Sequence, residues 1–344
     1  MRAHLATVPG MAHRWDLIAA PVQDLVHPVR VDPSGRAGPT RAQSRSKGWR
    51  RVSANRFVRA SVSPDVVEQR IVEAYARAGE PVVVTGWASL RLQGAGFFDG
   101  LARDGRTKLD VPLAANGARL RSHPGTVVTR LEVPPDEVVV VHGVRCARID
   151  RALFDEMRRL GELRDQVVAA DMTFAAQMTS IKRMQRYRWT RFWYRDIRTL
   201  DRVLPLADEA SRSRPEVDFR LIWVLDAGWG HPLVNRSVLD PEGRFVAIPD
   251  LLDPQRGVVG EYAGADHRSI DQHESDLDRG AMMRRLGLEI VEVVRRDLED
   301  PARVIGRMEE AADRASLLPQ TWRLGPDHLD LDRLLDRRDG ARVE

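Results

Sequence analysis

The last third of the chain carries the strongest secondary-structure pattern in the sequence. Short apolar runs typical of strands alternate with longer amphipathic runs typical of helices, and Gly or Pro separates them. The predicted order is α-β-β-β-α-β-α, over residues 213–228, 233–240, 244–253, 257–264, 274–287, 288–294 and 301–316. A helix links the third strand to the fourth, which favours a parallel crossover. This part is therefore predicted to form a mixed sheet flanked by helices.

The whole chain is predicted to be α/β in class, or α+β overall, with more than one domain. Its 344 residues exceed an ordinary single domain, and 43% of them are apolar, enough for separate cores. Residues 63–205 mix helix and strand signals without a catalytic cluster, as in an α+β domain. The predicted boundaries are 1–62, 63–205, 206–320 and a C-terminal tail, 321–344.

The N-terminal segment, 1–62, is strongly basic. It contains 11 Lys or Arg and 3 Asp, an excess of eight positive charges. A short helix over 40–48 and a hairpin over 49–60 give the layout of a small, degenerate winged-helix module. The hairpin arginines are candidate contacts to DNA phosphates, namely Arg50, Arg51, Arg56 and Arg59. A solubilising tail is the alternative interpretation.

A second segment, 181–198, interleaves basic and aromatic residues. Such a pattern can bind single-stranded nucleic acid by stacking. The pattern equally fits a helix whose aromatic side chains face the core and whose arginines face water, and we favour this interpretation.

Two acidic residues on predicted neighbouring strands form the candidate reactive site. Folding the hairpin 244–264 about its turn places Asp250 almost opposite Glu261, with Cβ atoms roughly 5 Å apart. Two ionised carboxylates at about 4 Å repel by about 4 kcal/mol at an effective dielectric of 20. Either one is protonated or a cation lies between them, and Mg²⁺ is the natural candidate, with Mn²⁺ as an alternative.

Two further residues are candidates for the same site. Glu216 lies in the first turn of the preceding helix, where an acid also complements the helix dipole. His267 follows the third strand, where it could orient a water or take a proton. Taken singly, either residue could be an ordinary surface group, so the ordered set carries the prediction.

This set resembles the very-short-patch-repair-like endonucleases, a branch of the PD-(D/E)XK nuclease superfamily also described as domain of unknown function 559. Pro249 and Asp250 are similar to the PD element, and Glu261 to the second acid. The later matches are Gly264, His267, Asp278, Arg279 and Gly287. The resemblance covers residues 206–316 and implies a restriction-endonuclease-like fold and metal-dependent hydrolysis of DNA.

One position departs from that family. Its second motif usually ends in a polar residue two positions after the acid, and this chain has Ala263 there. Side chains two apart on a strand share a face, so this residue should lie beside Glu261. Alanine can neither hold a metal nor polarise a water. The substitution therefore leaves open whether the site hydrolyses DNA or only binds it.

The first two thirds resemble AbiEi-type antitoxins, through GWRRVSANRFVRA at 48–60 and VTGWASLRLQGAGFFDG at 84–100. That resemblance implies DNA binding and a toxin or defence-system partner. The sequence thus leaves three functions open: a Mg²⁺-dependent DNA endonuclease or nickase, a catalytically inactive DNA-binding transcriptional regulator, and an enzyme acting on RNA. One cysteine and the lack of a bilayer-length apolar run lead us to expect a cytoplasmic protein without membrane segments.

Overall fold

The computed structural model describes residues 17–19, 25–264 and 279–341. The chain divides into two compact units. One comprises the described residues of 16–162 and 183–201, and the other those of 163–182 and 202–344. The predicted basic and middle segments therefore lie mainly within one unit. The α/β class is confirmed, because both units contain a mixed sheet with helices.

The first unit is built on a five-stranded mixed sheet, with strand order β5-β4-β3-β7-β6. Its strands are β3 (Val83–Val84), β4 (Val111–Ala114), β5 (Thr126–Thr129), β6 (Val138–Val141) and β7 (Val144–Ala147). Its helices include α1 (Val67–Ala78), α2 (Gly86–Leu92) and α3 (Ile149–Leu160). Cys146 lies in this core, and burial raises the pKa of its thiol to about 12, which disfavours the thiolate form near neutral pH.

A separate two-stranded hairpin precedes this sheet in the same unit. Strands β1 (Trp49–Ser53) and β2 (Arg56–Arg59) pair antiparallel, as predicted. Asn55 takes a positive φ of 58° in the turn, a conformation that Asn tolerates better than most residues. Among the described residues before the hairpin, the only helical segment is the single 3₁₀ turn Gln43–Arg45, shorter than the predicted helix over 40–48.

In the basic-aromatic segment, 181–198, we predicted that the aromatic side chains face the core. This prediction is wrong for three of its rings. It contains α5 (Ile181–Thr190) and the turn that follows, and α6 (Thr199–Val203) begins directly after it. Tyr187 is buried, but Trp189, Phe192 and Trp193 are 75%, 67% and 61% exposed. The segment thus directs aromatic as well as basic side chains to the surface.

The second unit contains the predicted α-β-β-β-α-β-α region and two sheets. A four-stranded mixed sheet has the order β13-β12-β11-β8, and a three-stranded sheet has the order β10-β9-β14. The strands are β8 (Leu233–Val234), β9 (Val238–Leu239), β10 (Phe245–Ala247), β11 (Leu251–Asp253), β12 (Val258–Tyr262), β13 (Glu289–Val293) and β14 (Arg323–Leu324). The helices are α4 (Leu163–Ala175), α7 (Arg214–Leu221), α8 (279–285), α9 (Pro301–Ala315) and α10 (Leu331–Gly340).

The predicted topology of the four-stranded sheet is confirmed. Strand β12 pairs antiparallel with β11 and parallel with β13. Side chains alternate between two cores, as strand geometry requires. Leu251 and Val258 pack with α7 and α9 on one face, and Leu252 and Val259 pack with α8 on the other.

Two predicted strands are each broken in the structure. The segment 233–240 becomes β8 and β9, and the segment 244–253 becomes β10 and β11, with the halves in different sheets. Asn235, with φ of 49°, interrupts the first segment, and Pro249, which has no N–H for a ladder, interrupts the second. The residues at these breaks leave the sheet ladders, so their side chains can converge at the end of β11 and β8.

The C-terminal segment 321–344 was predicted to be a tail. Instead it contains β14, which pairs with β9, and α10. Ser180 and Lys182 hydrogen bond to Asp332 and Asp330 at the start of α10. This segment is therefore an integral part of the second unit.

Candidate active site at the break between two sheets

Asp250 is the centre of the candidate site. It immediately precedes β11, and its side chain is almost completely buried, with 8% of the residue exposed. Its Oδ2 accepts a hydrogen bond from the Tyr262 backbone N–H at 2.7 Å. This bond ties the carboxylate of Asp250 to the far end of the neighbouring strand, β12. Asp250 is thus held by the sheet itself and not by a flexible loop.

Glu261 lies across from Asp250, as predicted. The register pairs Leu251 with Gly260, and extending it by one position places Asp250 opposite Glu261. Both residues continue the face on which Leu252 and Val259 lie. Ala263 follows on that same face, and its N–H remains in the sheet through a 2.8 Å bond to the Val293 carbonyl. Residue 263 therefore lies where the polar side chain is expected, but alanine does not supply a polar group there.

Glu216 reaches the same region from α7, and it is 5% exposed. Ser213 caps α7 by accepting a hydrogen bond from the Glu216 N–H, and Pro215 occupies the first turn. The Glu216 carboxylate in turn accepts from the Arg212 N–H at 2.8 Å. This reciprocal arrangement resembles a capping box, so both predicted roles of Glu216, first-turn acid and site residue, are compatible.

Asn235 is a site residue that the sequence reasoning missed. It is 1% exposed at the end of β8, and its N–H donates to the Asp250 carbonyl at 3.0 Å. Its Nδ2 donates to Glu216 Oε2 at 3.1 Å and to the Ala210 carbonyl at 2.9 Å. The available signal was a polar residue within an otherwise apolar predicted strand, LVNRSVLD, which is a departure from strand patterning.

The electrostatics of the site disfavour three ionised carboxylates without a counter-charge. Burial is the largest cause that raises the pKa of Asp250 well above its usual range, and the Glu216 and Glu261 carboxylates raise it further. The Tyr262 N–H and the positive charge of Arg212 act in the opposite direction. The carboxyl group of Asp250 therefore favours its proton, or a cation in place of that proton.

The oxygen donors fit a hard divalent cation in their chemistry. Mg²⁺ binds through one or two carboxylates and keeps several waters, so it does not need a complete shell of protein ligands. Asn235 Oδ1 is a buried oxygen with no hydrogen-bond partner among the described residues, at a typical cost of about 1–3 kcal/mol. Over those same residues, no group of three or more His, Cys, Asp or Glu side chains is arranged to hold a metal ion. The acids thus lie near one another without a preformed ligand shell.

One predicted site residue, His267, lies outside the described residues. Asp278, which belongs to the motif of the family resemblance, does so as well. Two other acids of this unit are used structurally: Asp253 accepts bonds from Gln255 and Arg256 in the turn after β11, and Asp240 accepts from Arg244 in the turn between β9 and β10. The candidate site among the described residues therefore consists of Asp250, Glu261 and Glu216, with Asn235 added.

The four hairpin arginines are not equivalent. Arg50 forms a two-pronged ion pair with Glu73, at 2.7 and 2.9 Å, so its guanidinium serves the fold of the first unit instead of being available as predicted. Arg56 donates to the Pro28 carbonyl. Arg51 and Arg59 are exposed, and Arg59 stacks over the Trp49 ring with 4.2 Å to its centroid. The last two are the better candidates for phosphate contacts.

Comparison with models of protein families, with curated proteins and with solved structures gave no significant match to this chain. The resemblance to the very-short-patch-repair-like endonucleases and to AbiEi-type antitoxins therefore remains a prediction from the motifs.

Within the described ranges, no helix is long and apolar enough to cross a membrane.

Proposed function

We propose that the protein is a DNA endonuclease or nickase that depends on Mg²⁺ or Mn²⁺. The observation that supports this proposal is that three acids converge at the breaks at Asn235 and Pro249, where the chain passes from one sheet to the other. Asp250 is buried opposite Glu261, and Glu216 is anchored to the same strand break through Asn235. Ordinary surface acids do not occupy such buried and mutually repelling positions, because burial of unpaired charge is costly.

In this proposal Asp250 and Glu261 bind the cation, and Glu216 assists. A bound divalent cation would activate a water and neutralise charge on the phosphodiester. The chain's own contribution is rigid placement: Asp250 is held by the Tyr262 N–H, and Glu216 by Asn235 and the Arg212 N–H. His267, which the family resemblance implies as a site residue, would position water or the leaving phosphate.

A second candidate function is a catalytically inactive, antitoxin-like DNA-binding regulator of transcription. The observation that favours it is Ala263, which lies on the acidic face where a polar group would orient the attacking water. In this alternative the exposed arginines Arg51 and Arg59 contact DNA phosphates, and a toxin or defence-system protein is the partner. We place either function in the cytoplasm.

Incubation of the purified chain with supercoiled plasmid and Mg²⁺ or Mn²⁺ tests the proposal. We expect nicked or linear DNA, and we expect Asp250→Ala to lower the rate at least about 100-fold because it removes a metal ligand. Glu242→Ala is the matched control, since Glu242 is an exposed acid of the same unit, in the turn between β9 and β10, and should not affect cleavage. Cleavage that persists in Asp250→Ala would overturn the assigned site.

Two further comparisons separate the alternatives. No cleavage with either metal, together with DNA binding that weakens as salt rises, would support the regulator. Cleavage that appears only after Ala263→Lys or Ala263→Asp would show that the site lacks a single functional group. Parallel reactions with RNA of the same sequence would identify an RNA substrate if RNA is cut and DNA is not.

A further inference from the structure

The amide of Asn235 has an orientation that its surroundings determine. Its Nδ2 lies 2.9 Å from the Ala210 carbonyl and 3.1 Å from Glu216 Oε2, and both of these atoms are acceptors. Exchanging the amide nitrogen and oxygen would place Oδ1 against two other oxygens, without a proton between them. The donor side of the amide therefore faces Glu216, and Oδ1 is the group without a hydrogen-bond partner among the described residues.

Asn235 links helix α7, which carries Glu216, to the start of β11, where Asp250 lies. The residue is 1% exposed, and its φ of 49° turns the chain out of β8 where its N–H donates to the Asp250 carbonyl. The side chain of Asn235 thus contacts Glu216, and the backbone of Asn235 contacts Asp250. This placement puts a buried neutral oxygen within the acidic site.

We infer that Asn235 is a further member of the metal site, with a separate role for each end of its amide. Nδ2 positions the Glu216 carboxylate, and Oδ1 supplies a neutral oxygen to the divalent cation or to a water bound to it. This inference rests on the proposed function, because it assumes that the acids bind a cation. A neutral donor suits this position, since it adds an oxygen ligand without adding to the repulsion among three carboxylates.

The variant that removes the side chain with the least backbone strain is Asn235→Gly, because glycine readily adopts positive φ. We expect the affinity for Mn²⁺, measured by isothermal titration calorimetry on the full chain, to fall about 10-fold to 100-fold, as when partners that orient metal ligands are removed. Asn116→Gly is the matched control. Asn116 has a similar φ of 47°, and its amide bonds only to Val133 in the other unit, so Mn²⁺ affinity should not change.

A second variant, Asn235→Asp, should strengthen the response of the protein to Mn²⁺ instead of weakening it. This test does not require that Asn235→Gly folds well. Asn235→Asp keeps the shape of the side chain but adds a carboxylate beside Glu216 and Asp250. The metal-free protein should have a lower Tm than wild type, and added Mn²⁺ should raise Tm by more than it does in wild type. The reason is that the cation then relieves a larger repulsion.

The outcomes distinguish this inference from the proposed function. If neither wild type nor Asp250→Asn shows saturable Mn²⁺ binding, the metal site itself is wrong. If wild type binds and Asp250→Asn does not, but Asn235→Gly binds with wild-type affinity, only the role of Asn235 is overturned. In that case an ordinary buried water satisfies Oδ1. An unchanged Mn²⁺ effect on Tm in Asn235→Asp would lead to the same conclusion.

Discussion

Asp250 shows how burial beside other acids can make one residue unfavourable for the fold. Its carboxyl group is buried beside two others, and the pKa is raised well above its usual range by burial first and by Glu216 and Glu261 next. Between the unfolded pKa and the higher folded pKa, the native state binds more protons than the unfolded state. The free energy of unfolding therefore falls as pH rises through that interval.

This linkage predicts the effect of Asp250→Asn on stability. Without divalent cation, the variant should be more stable than wild type at pH 8, by on the order of 1 kcal/mol, because a neutral amide replaces a buried charge that Glu216 and Glu261 repel. The asparagine oxygen can still accept from the Tyr262 N–H, so the substitution preserves that contact. Toward pH 4 the difference should shrink, because the unfolded state, in which aspartate has a pKa of about 3.9, then begins to take up the proton as well.

Thermal or urea unfolding at pH 4, 6 and 8, in buffer containing a chelator, measures this difference. Glu242→Gln provides the control, since Glu242 is exposed and should not change the pH dependence. If Asp250→Asn is less stable than wild type at pH 8, the carboxylate is favourable to the fold and our account of its burial is wrong.

At the scale of elements, Gly260 determines how closely α7 approaches the sheet. A Cβ at Gly260 would lie 2.5 Å from Phe219 Cε1 and 3.2 Å from Trp223 Cζ3, well inside normal contact distance. Phe219 is on α7, and the π-helical turn Ile222–Asp226 that follows α7 carries Trp223. The absence of a side chain at residue 260 therefore allows α7 to pack where its first turn reaches Asp250.

Gly260→Ala should consequently destabilise the second unit. Overpacking a close-packed core costs about 1–3 kcal/mol, and displacement of α7 would also move Glu216 away from the site. Gly306→Ala is the control, for which we expect the stability to change in the opposite direction. Gly306 lies inside α9 with nothing within 4 Å of the added Cβ, so alanine should stabilise the helix by up to about 1 kcal/mol. Urea unfolding of both variants measures these changes, and equal stability of the two would contradict this account.

The elements also show what could be predicted from the sequence and what could not. Strands β12 and β13 and helices α1 and α9 follow from apolar runs, Gly ends and Pro starts, which are local signals. Gly161, with a positive φ of 76°, ends α3 and separates it from α4. The breaks at Asn235 and Pro249 were missed because either half-strand has ordinary strand composition, and the choice of sheet depends on distant partners.

At the scale of the whole molecule, the largest exposed aromatic feature among the described residues is in the segment 181–198. Trp189, Phe192 and Trp193 are mostly exposed, and Arg188 lies over the Trp189 ring at 5.7 Å from its centroid. Several arginines of the segment are already paired, for example Arg188 with Asp201 and Arg191 with Asp136. The rings are therefore surface residues of a folded helix and turn, and their removal should not affect the core.

The double substitution Trp189→Ser and Trp193→Ser tests this placement. We expect the free energy of unfolding to change by no more than about 0.5 kcal/mol per site, as for ordinary surface substitutions. The fraction of tryptophan fluorescence that iodide quenches should fall strongly, because two accessible rings near arginines are lost. Trp223→Phe is the contrasting variant, since Trp223 is fully buried and the loss of an inaccessible ring should raise the quenchable fraction. Strong destabilisation by the double substitution would place the two rings in the core.

The sequence by itself determined the α/β class, the α-β-β-β-α-β-α order of the last third, and the pairing of Asp250 with Glu261. These features depend on local periodicity and on hairpin register, which neighbouring residues specify. Only the tertiary structure decided that Arg50 is bound to Glu73, that three aromatic rings are exposed, and that Asn235 joins the acids. The physical reason is that burial and hydrogen-bond partners come from residues distant in the chain, and no local pattern specifies them.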